Sequence, residues 1–525
     1  MNTITARLGA LRSRACALLL LGLPSLAGAA TFNVTSTADG GTGSLRDAID
    51  QANRTAGADT ITFGSSVTGI IALTGGAIDI IDDLRITGPG ATRLSLSGNN
   101  VSRVFRIDPT TPEAVIAVDI TGLSFINGAS ADEGGALFAD DCDLTISNSV
   151  FRNNTAQRGG GLYVFPTTST TLTLRHTRFE ANTATADGGG FGAQDIDNVV
   201  LDNVVAVDNT ASRSGGGGYL RAVGVTVSLS DFSDNTSSTL PPNQTGITGG
   251  GGLRIDGSKA TATASITATR FVGNTAQLGQ GGALWLSAQQ PQVLPIIAAV
   301  SLERVQITGN AANLTGGGIS AAFVNTTLSS SSLANNTAQQ SGGGIAYQDG
   351  GALQLANTTL AGNSSALANG GGIYSAAETS LAIVSGTIAG NSAANGGGIL
   401  RTGGGATLRN TIVANNNAPT APDLHGSFAP NYTLVKNAGG ATLAAGSGNI
   451  VNGTDPLLGT LAMNGGTTLS LLPGVGSLAL NAGDPAGTGL APTDQRGLAR
   501  IAAGRVDIGA VERQSPEDTI FRYGF

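Results

Sequence analysis

Glycine clusters recur along this chain at a nearly constant spacing. Ten runs of two to four glycines between residues 134 and 398 are each followed by an apolar residue or by alanine and an apolar residue in a repeating pattern, and the last glycines of successive runs are 26, 29, 28, 34, 30, 36, 26, 28 and 26 residues apart. The runs are Gly134–Gly135, Gly159–Gly161, Gly188–Gly190, Gly215–Gly218, Gly249–Gly252, Gly281–Gly282, Gly316–Gly318, Gly342–Gly344, Gly370–Gly372 and Gly396–Gly398. A period near 28 residues predicts a solenoid, in which each repeat packs only against its neighbours.

A second marker runs in phase with the glycines: an apolar residue, two more residues, and then asparagine. The pairs are Phe151…Asn154, Phe179…Asn182, Phe232…Asn235, Phe271…Asn274, Leu333…Asn336, Leu360…Asn363 and Ile388…Asn391. Glycine and asparagine suit corners because both tolerate positive φ. Short alternating runs between the markers, such as Val225–Leu229, predict half-buried strands. We therefore expect one asparagine per coil, stacked as an amide ladder.

Composition excludes helical repeats. Glycine makes up 79 of the 525 residues, and each glycine inside a helix costs about 1 kcal/mol relative to alanine. We predict an all-β chain that forms a right-handed parallel β-helix solenoid with a short N-terminal capping helix and an irregular C-terminal cap. A set of β-sandwiches with glycine turns is the alternative. Calcium-binding nonapeptide repeats need a G-G-x-G-x-D spacing that these runs lack, so we expect no calcium roll.

Both ends of a solenoid need a cap. The segment Ser44–Asp47 has the form of a capping box, and Leu45, Ala48, Ile49 and Ala52 follow with helical spacing up to a stop at Gly57. We expect this helix to cover the first coil, with Arg46 and Asp47 in capping rather than catalytic roles. At the other end, Pro419–Pro422 interrupts the repeat, and irregular coils should close the stack. There, Arg496 should pair with Asp494 or Asp507.

The first residues have the form of an export signal. Three arginines and no acid precede an apolar run and a small-residue motif, at Arg7, Arg12, Arg14, residues 16–23 and Ala27–Ala29. This pattern predicts a signal peptide over residues 1–29. The remainder carries 24 − 35 = −11 charges, which disfavours nucleic acid and anionic lipid as partners. Cys142 would remain as a lone, buried thiol, and we expect no transmembrane segment in the mature chain.

The N-terminal region and the repeats resemble two known families. Residues Thr35–Asp39, Gly43–Ile49, Ala52–Asn53 and Gly57–Ile61 resemble the CSLREA domain of secreted bacterial β-helix proteins, with Gly43 where members often have cysteine. The repeats resemble those of the polymorphic outer membrane proteins, whose paired motifs are G-G-A-[ILV] and F-x-x-N. That resemblance implies an adhesin-like, surface-exposed protein. Those proteins carry a C-terminal membrane barrel, which we do not expect in the residues after Gly398.

The tail is similar to the module called choice-of-anchor Q, which ends many bacterial β-helix proteins. Six motifs carry the similarity: Asp455–Gly459, Asn464–Thr467, Leu472–Gly474, Asn481–Gly483, Thr493–Gly497 and Asp507–Glu512. Val506 stands where members often have cysteine, and Tyr523–Phe525 resembles a terminal sorting tag. The expected division is a signal peptide (1–29), an N-terminal cap (31–65), β-helix repeats (66–417), a C-terminal cap or anchor-type module (418–512) and a tail (513–525).

Catalytic chemistry has weak support in the sequence. The polygalacturonase motifs N-T-D, D-D, G-H-G and R-I-K do not occur as a set, and we predict no cofactor and no metal. The candidates for an enzyme are Asp140, Asp195 and Asp256, which lie five, five and four residues after the last glycine of their runs. They would share one strand face, with Asp140 and Asp195 two coils, or roughly 9.6 Å, apart. That separation suits an inverting pair.

Two functional hypotheses follow. The first, which we favour, is an exported surface or extracellular β-helix of adhesin or structural type that binds polysaccharide or a cell surface without catalysis, in association with the outer membrane. The second is a polysaccharide lyase or glycoside hydrolase that uses the acidic face. A third interpretation is a passenger whose membrane barrel lies on another chain.

Overall fold

The protein is a parallel β-solenoid of about 14 turns with one short helix. The computed structural model describes residues 28–111, 114–238, 248–259, 261–288, 298–453, 455–487, 489–502 and 504–514. The fold class predicted from the repeat is therefore confirmed. The predicted leader (residues 1–27 of it) and the Tyr523–Phe525 tag lie outside the described residues.

The helix is α1 (Leu45–Ala52). The strands are β1 (Thr31–Val34), β2 (Asp59–Phe63), β3 (Gly69–Ala72), β4 (Ile78–Ile80), β5 (Leu84–Thr87), β6 (Leu94–Ser97), β7 (Phe105–Ile107), β8 (Ile116–Thr121), β9 (Ser124–Ile126), β10 (Leu137–Ala139), β11 (Cys142–Ser147), β12 (Val150–Arg152), β13 (Thr155–Ala156), β14 (Leu162–Val164), β15 (Thr171–Arg175), β16 (Arg178–Glu180), β17 (Thr183–Ala184), β18 (Phe191–Asp202), β19 (Val205–Val207), β20 (Thr210–Ala211), β21 (Gly218–Ser228), β22 (Asp231–Ser233), β23 (Thr236–Ser237), β24 (Leu253–Gly257), β25 (Thr263–Thr267), β26 (Arg270–Val272), β27 (Thr275–Ala276), β28 (Leu284–Ala288), β29 (Ala298–Glu303), β30 (Gln306–Thr308), β31 (Ala311–Ala312), β32 (Ile319–Ser329), β33 (Ser332–Ala334), β34 (Thr337–Ala338), β35 (Ile345–Ala361), β36 (Ser364–Asn369), β37 (Ile373–Ser375), β38 (Ser380–Ala389), β39 (Ser392–Asn395), β40 (Ile399–Arg409), β41 (Ile412–Ala414), β42 (Leu424–Asn431), β43 (Leu434–Val435), β44 (Ala441–Leu443) and β45 (Ile450–Val451).

The coils place their strands on three faces of the solenoid. Nine coils add a short strand to a separate narrow sheet. In one coil β10 lies on the first face, β11 on the second, β12 on the third and β13 in the narrow sheet. Apolar side chains alternate inward along these strands and form one continuous core. Phenylalanines at the same position stack along it: the Phe151 ring lies 4.6 Å from Phe125 and 4.9 Å from Phe179, centroid to centroid.

In each run, the glycine after the positive-φ glycine that begins the turn lies against the backbone of the next coil. A Cβ atom on Gly189 would lie 2.2 Å from the carbonyl oxygen of Gly216 and 2.6 Å from that of Thr210. Both neighbours are backbone atoms, which cannot move aside without shifting a coil. The periodic glycine is therefore required by the inter-coil distance.

We expect Gly189→Ala to lower the free energy of unfolding by about 3 kcal/mol, the range for steric overlap in a packed interior. Gly405→Ala is the matched control, because a Cβ there meets no atom within 4 Å. Urea denaturation of both variants measures the effect. Equal urea midpoints for the two variants would show that the short distance between the coils does not require glycine at position 189.

The predicted asparagine ladder is confirmed. Ten buried asparagines each donate Nδ2–H to the Oδ1 of the next member at 2.9 Å, or at 2.8 Å to the final carboxylate. The members are Asn154, Asn182, Asn209, Asn235, Asn274, Asn310, Asn336, Asn363, Asn391 and Asn416. Asn209, Asn310 and Asn416 were not among the predicted pairs. Asp423 ends the ladder, and burial raises the pKa of its carboxyl.

The N-terminal cap is also confirmed. The Ser44 side chain accepts a hydrogen bond from the Asp47 backbone N–H, and the apolar face of α1 is buried against the first coil. Arg46 forms an ion pair with Asp39 at 2.7 Å and donates to backbone carbonyls of the next coil, which is a capping role. The helix ends at Ala52 rather than near Gly57. Asn53 stops it by bonding to the coil below through Asp79 and Ile81.

The expected C-terminal cap takes another form. Parallel stacking continues beyond Pro419–Pro422 to β45, so it exceeds the expected range of 66–417. Residues 455–514, here called the return segment, then fold back along the third face instead of closing the end of the stack. Within the return segment, Arg496 pairs with Asp494 at 2.9 Å, as predicted, and both side chains are buried.

Candidate functional site

The strand register decides whether the three predicted carboxylates share a row. The glycine with positive φ that begins the turn is Gly134, Gly188 or Gly250, and Asp140 and Asp256 each follow theirs by six residues, but Asp195 follows by seven. Asp195 lies in a bulge with φ of 58°, so Gln194, rather than Asp195, aligns with Arg221 and then Asp256. The expected single row of three carboxylates is therefore wrong for Asp195.

Asp256 is the most enclosed of the three. It is fully buried and pairs with Arg254 at 2.9 Å. The Ser287 hydroxyl donates to it at 2.5 Å and the Tyr219 hydroxyl at 3.2 Å. The Arg254 guanidinium in turn lies over the ring of Trp285, 3.8 Å from its centroid. Every oxygen of Asp256 thus has a partner inside a structural cluster.

Asp195 is exposed and paired. Its Oδ1 lies 3.1 Å from Arg221 Nε, and Gln194 Nε2 donates to its Oδ2 at 3.2 Å. Arg221 stands between Asp195 and Asp256 in strand order, because β21 lies between β18 and β24. Arg221 thus holds the Asp195 carboxylate in an ion pair, and Asp256 has its own partner in Arg254.

Asp140 is half-buried and lies two coils before Asp195. Burial raises the pKa of its carboxyl, and the neighbouring charges of Asp141 and Asp108 raise it further. Burial alone would raise the pKa of Asp141, but hydrogen bonds from Thr167 and Thr168 outweigh it and lower that pKa. Four strand spacings, or about 19 Å, separate Asp140 from Asp256. The structure therefore spaces the three carboxylates two coils apart in succession, with Asp195 paired to Arg221 and Asp256 to Arg254.

Cys142 is a free, buried thiol, as the sequence predicts, and burial raises its pKa. A nucleophilic thiol needs the opposite shift. Throughout the described ranges, no three His, Cys, Asp or Glu side chains lie close enough together to hold a metal ion.

A groove on the second face was not predicted. Its volume is about 460 Å³, and two rows of small outward side chains line it over five coils. One row contains Val200, Thr226, Ser265, Ser301 and Thr327, and the other contains Asn198, Gly224, Thr263, Ala299 and Asn325. Four strand spacings give it a length of about 19 Å along the solenoid axis. None of its lining residues is charged.

Glycine and small hydroxyl residues create this groove. A Cβ on Gly224 would lie 2.7 Å from Asn198 Oδ1, so the glycine leaves space beside that amide. At the rim, Asp197 lies 3.6 Å from the Lys259 ammonium. In the sequence, the signal for this surface is period-two alternation with small polar residues on the outer side. Neither that alternation nor the glycine spacing distinguishes a groove from an ordinary solvent-exposed face.

Comparison with known proteins gives limited similarity. No family model matches the chain. The chain is 31% identical over 122 residues to the Probable outer membrane protein pmp20 of Chlamydia pneumoniae, which covers 19% of this chain and 7% of that protein. The matched stretch is thus a small part of the relative. The resemblances to the CSLREA domain and to choice-of-anchor Q remain predictions.

Two solved structures are similar to parts of this chain. One is the catalytic unit of a thermostable GH87 alpha-1,3-glucanase from Streptomyces thermodiastaticus strain HF3-3, with a TM-score of 0.41, 14% identity, and coverage of 82% of this chain and 69% of that one. The other is ORF18 of Geobacillus virus E2, with a TM-score of 0.35, 11% identity, and coverage of 62% and 61%. Neither score supports a functional argument.

In the described part of the chain, no helix has the length and apolar character needed to cross a bilayer.

Proposed function

We propose that this protein is an exported, adhesin-like surface β-solenoid that binds neutral polysaccharide along the groove of the second face, without catalysis. The groove itself carries the proposal. It is open, about 19 Å long, and lined by hydroxyl, amide and methyl groups. Such groups hydrogen-bond to sugar hydroxyls, and the lining offers no cation that would favour an acidic polymer.

The placement of the carboxylates argues against the hydrolase or lyase alternative. Glycoside hydrolysis needs two carboxyl groups about 5 to 9.5 Å apart, one of them acting as an acid and the other as a base or nucleophile. Asp195 is neutralised by Arg221, and Asp256 is fully buried in its pair with Arg254. A sugar has no access to Asp256, and Asp140 lies about 19 Å from it. Asp140 and Asp195 are two coils apart, but Asp195 is held in its ion pair with Arg221.

The surface location draws on two observations. One is the leader pattern of residues 1–29, and the other is the similarity of part of the chain to an outer membrane protein of Chlamydia pneumoniae. The negative net charge of the chain is also consistent with a partner that is neutral rather than anionic.

A substitution in the middle of the groove tests the binding site. Ser265→Arg should weaken binding to neutral polysaccharide at least about 10-fold, because a long cation would fill the space between Thr226 and Ser301. Thr407→Arg is the matched control, since Thr407 is exposed on the same face, several coils beyond the groove. Affinity electrophoresis against neutral and acidic polysaccharides measures binding.

The same samples are assayed for reducing ends and for the absorbance of unsaturated products. We expect neither to accumulate. Binding that is equally strong in wild type and Ser265→Arg would contradict the groove assignment. Turnover that disappears in Asp195→Ala would instead establish the enzyme alternative.

A further inference from the structure

The return segment lies across three successive coils of the third face. The Leu469 N–H donates to Ser332 Oγ at 3.2 Å, Thr359 Oγ1 donates to Gln495 Oε1 at 2.5 Å, and the Ala510 N–H donates to Thr387 Oγ1 at 2.9 Å. Each acceptor or donor on the solenoid belongs to a different coil, in β33, β35 and β38. One segment therefore ties these coils together from outside.

The covered coils carry short outward side chains beneath the return segment. The first outward position of the third-face strands is a hydroxyl in the covered coils, and the next outward position is alanine in Ala334, Ala361, Ala389 and Ala414. Leu471 packs on Ala361 and Ala389. In earlier coils the aligned positions include Arg178, Glu180, Asp231, Arg270 and Gln306. A covering segment fits only where the side chains are short.

A buried pair of acids lies inside the return segment. Glu512 is 1% exposed and Asp507 is 2% exposed. The carboxyl of Glu512 accepts hydrogen bonds from two backbone groups, the N–H of Asp507 at 2.7 Å and that of Ala502 at 3.2 Å. No arginine donates to it among the described contacts.

The neighbouring charged groups form their hydrogen bonds elsewhere, and the attraction of Arg500 lowers the pKa of Glu512 by less than burial raises it. Arg500 donates to the carbonyl oxygens of Gly509 and Ala510 and to the Asn357 side chain. Arg496 pairs with Asp494, whose Oδ2 also accepts the Glu512 N–H. The Arg513 backbone N–H donates to Asp507. The coil residues against Gly509 and Ala510 are uncharged: Thr387, Asn410 and Ile412.

We propose that the return segment is a pH-sensitive clasp, which holds the coils of residues 330–434 while Glu512 is protonated and loosens when Glu512 ionises. Ionisation would place a second negative charge beside Asp507 in a site closed to water. Release hydrates both carboxylates, so the clasp would open without disrupting the asparagine ladder inside the coils. The proposal is independent of polysaccharide binding, because the groove lies on another face.

The direction of the pH effect follows from where Glu512 titrates. Burial raises the pKa of Glu512 from 4.5 to about 7, and burial also raises the pKa of Asp507. The docked segment therefore holds a proton that the released segment gives up. Docking is strongest below pH 4.5, weakens between pH 4.5 and about 7, and changes little above that. The docking equilibrium should fall by roughly two orders of magnitude over this interval.

Hydrogen exchange on the full chain tests the clasp. Peptides from residues 455–514 should lose protection between pH 5 and pH 8, after correction for intrinsic exchange, while peptides from β15–β30 keep theirs. Glu512→Gln, which cannot ionise, should keep the segment protected at pH 8. Glu303→Gln is the matched control, because Glu303 is half-exposed beside Arg304 on the coils.

A second variant separates a folding defect from the proposed effect. Ala389→Arg should release the return segment at both pH values, because the arginine side chain would occupy the space in which Leu471 packs. Hydrogen exchange in this variant gives the reference for the released segment. Protection of residues 455–514 that is equal at pH 5 and pH 8 in wild type overturns the proposal. Equal loss of protection in wild type and a folded Glu512→Gln variant overturns it as well.

Discussion

Replacing Asn274 with leucine should lower the free energy of unfolding by roughly 4–6 kcal/mol, since it leaves three buried polar groups without partners at about 1–3 kcal/mol each. Asn274 Oδ1 accepts from the backbone N–H of Asn235 at 3.1 Å and from its side-chain amide at 2.9 Å. Asn274 Nδ2 donates to the carbonyl oxygen of Phe232 at 2.8 Å. Leucine has a similar branched shape, although it is larger, and it offers none of these bonds.

The matched control is Asn313→Leu, on the next coil, where the asparagine side chain is exposed. We expect that variant to stay within about 0.5 kcal/mol of wild type. Equilibrium urea unfolding gives the difference, and hydrogen exchange should show that protection is lost mainly in the coils next to Asn274, because a solenoid is stabilised by nearest-neighbour contacts. If both variants unfold at the same urea concentration, the ladder contributes nothing to stability.

Local periodic features of this fold are visible in the sequence because each repeat occupies the same environment. The ladder position was predicted from Phe271…Asn274 and its equivalents, and the helix from the spacing of Leu45, Ala48, Ile49 and Ala52. Asn209 shows a limit of the pattern, since Ala206 precedes it where most coils have a larger apolar residue. The inward methyl at Ala206 still packs in the core, so the coil keeps its asparagine.

The predicted row of carboxylates was wrong at Asp195 because residues were counted from the last glycine of each run. Glycine runs differ in length, so the last glycine is not a fixed point of the coil, whereas the glycine with positive φ is. Counting from Gly188 places Asp195 one residue beyond the row that holds Asp256. The backbone then bulges at Asp195, a feature that no periodic pattern encodes.

The return segment could not be placed from periodicity. Its hydrogen bonds to coil residues 330–410 join residues 74 to 143 positions apart, and an aperiodic segment carries no register of its own. The one usable signal is on the coils: Ala334, Ala361, Ala389 and Ala414 occupy successive outward positions on the third face. Four alanines in a row, where the aligned positions of earlier coils carry larger side chains such as Glu180, Val207, Val272 and Thr308, indicate that something covers them.

Two carboxylates that were equal candidates for catalysis should differ sharply in their effect on stability. Asp256→Ala should destabilise the protein by about 3–5 kcal/mol, because it leaves the buried Arg254 guanidinium without its counter-charge. Asp195→Ala should cost no more than about 1 kcal/mol, because the pair with Arg221 lies near solvent and is screened.

Thermal or urea unfolding of the two variants measures this difference. A role in chemistry would produce the opposite signature, since a catalytic carboxylate can be removed with little loss of stability and large loss of turnover. If Asp256→Ala were as stable as wild type, the cluster of Tyr219, Arg254 and Trp285 around it would not depend on that carboxylate. The buried aspartate would then be available for a functional role that its present partners argue against.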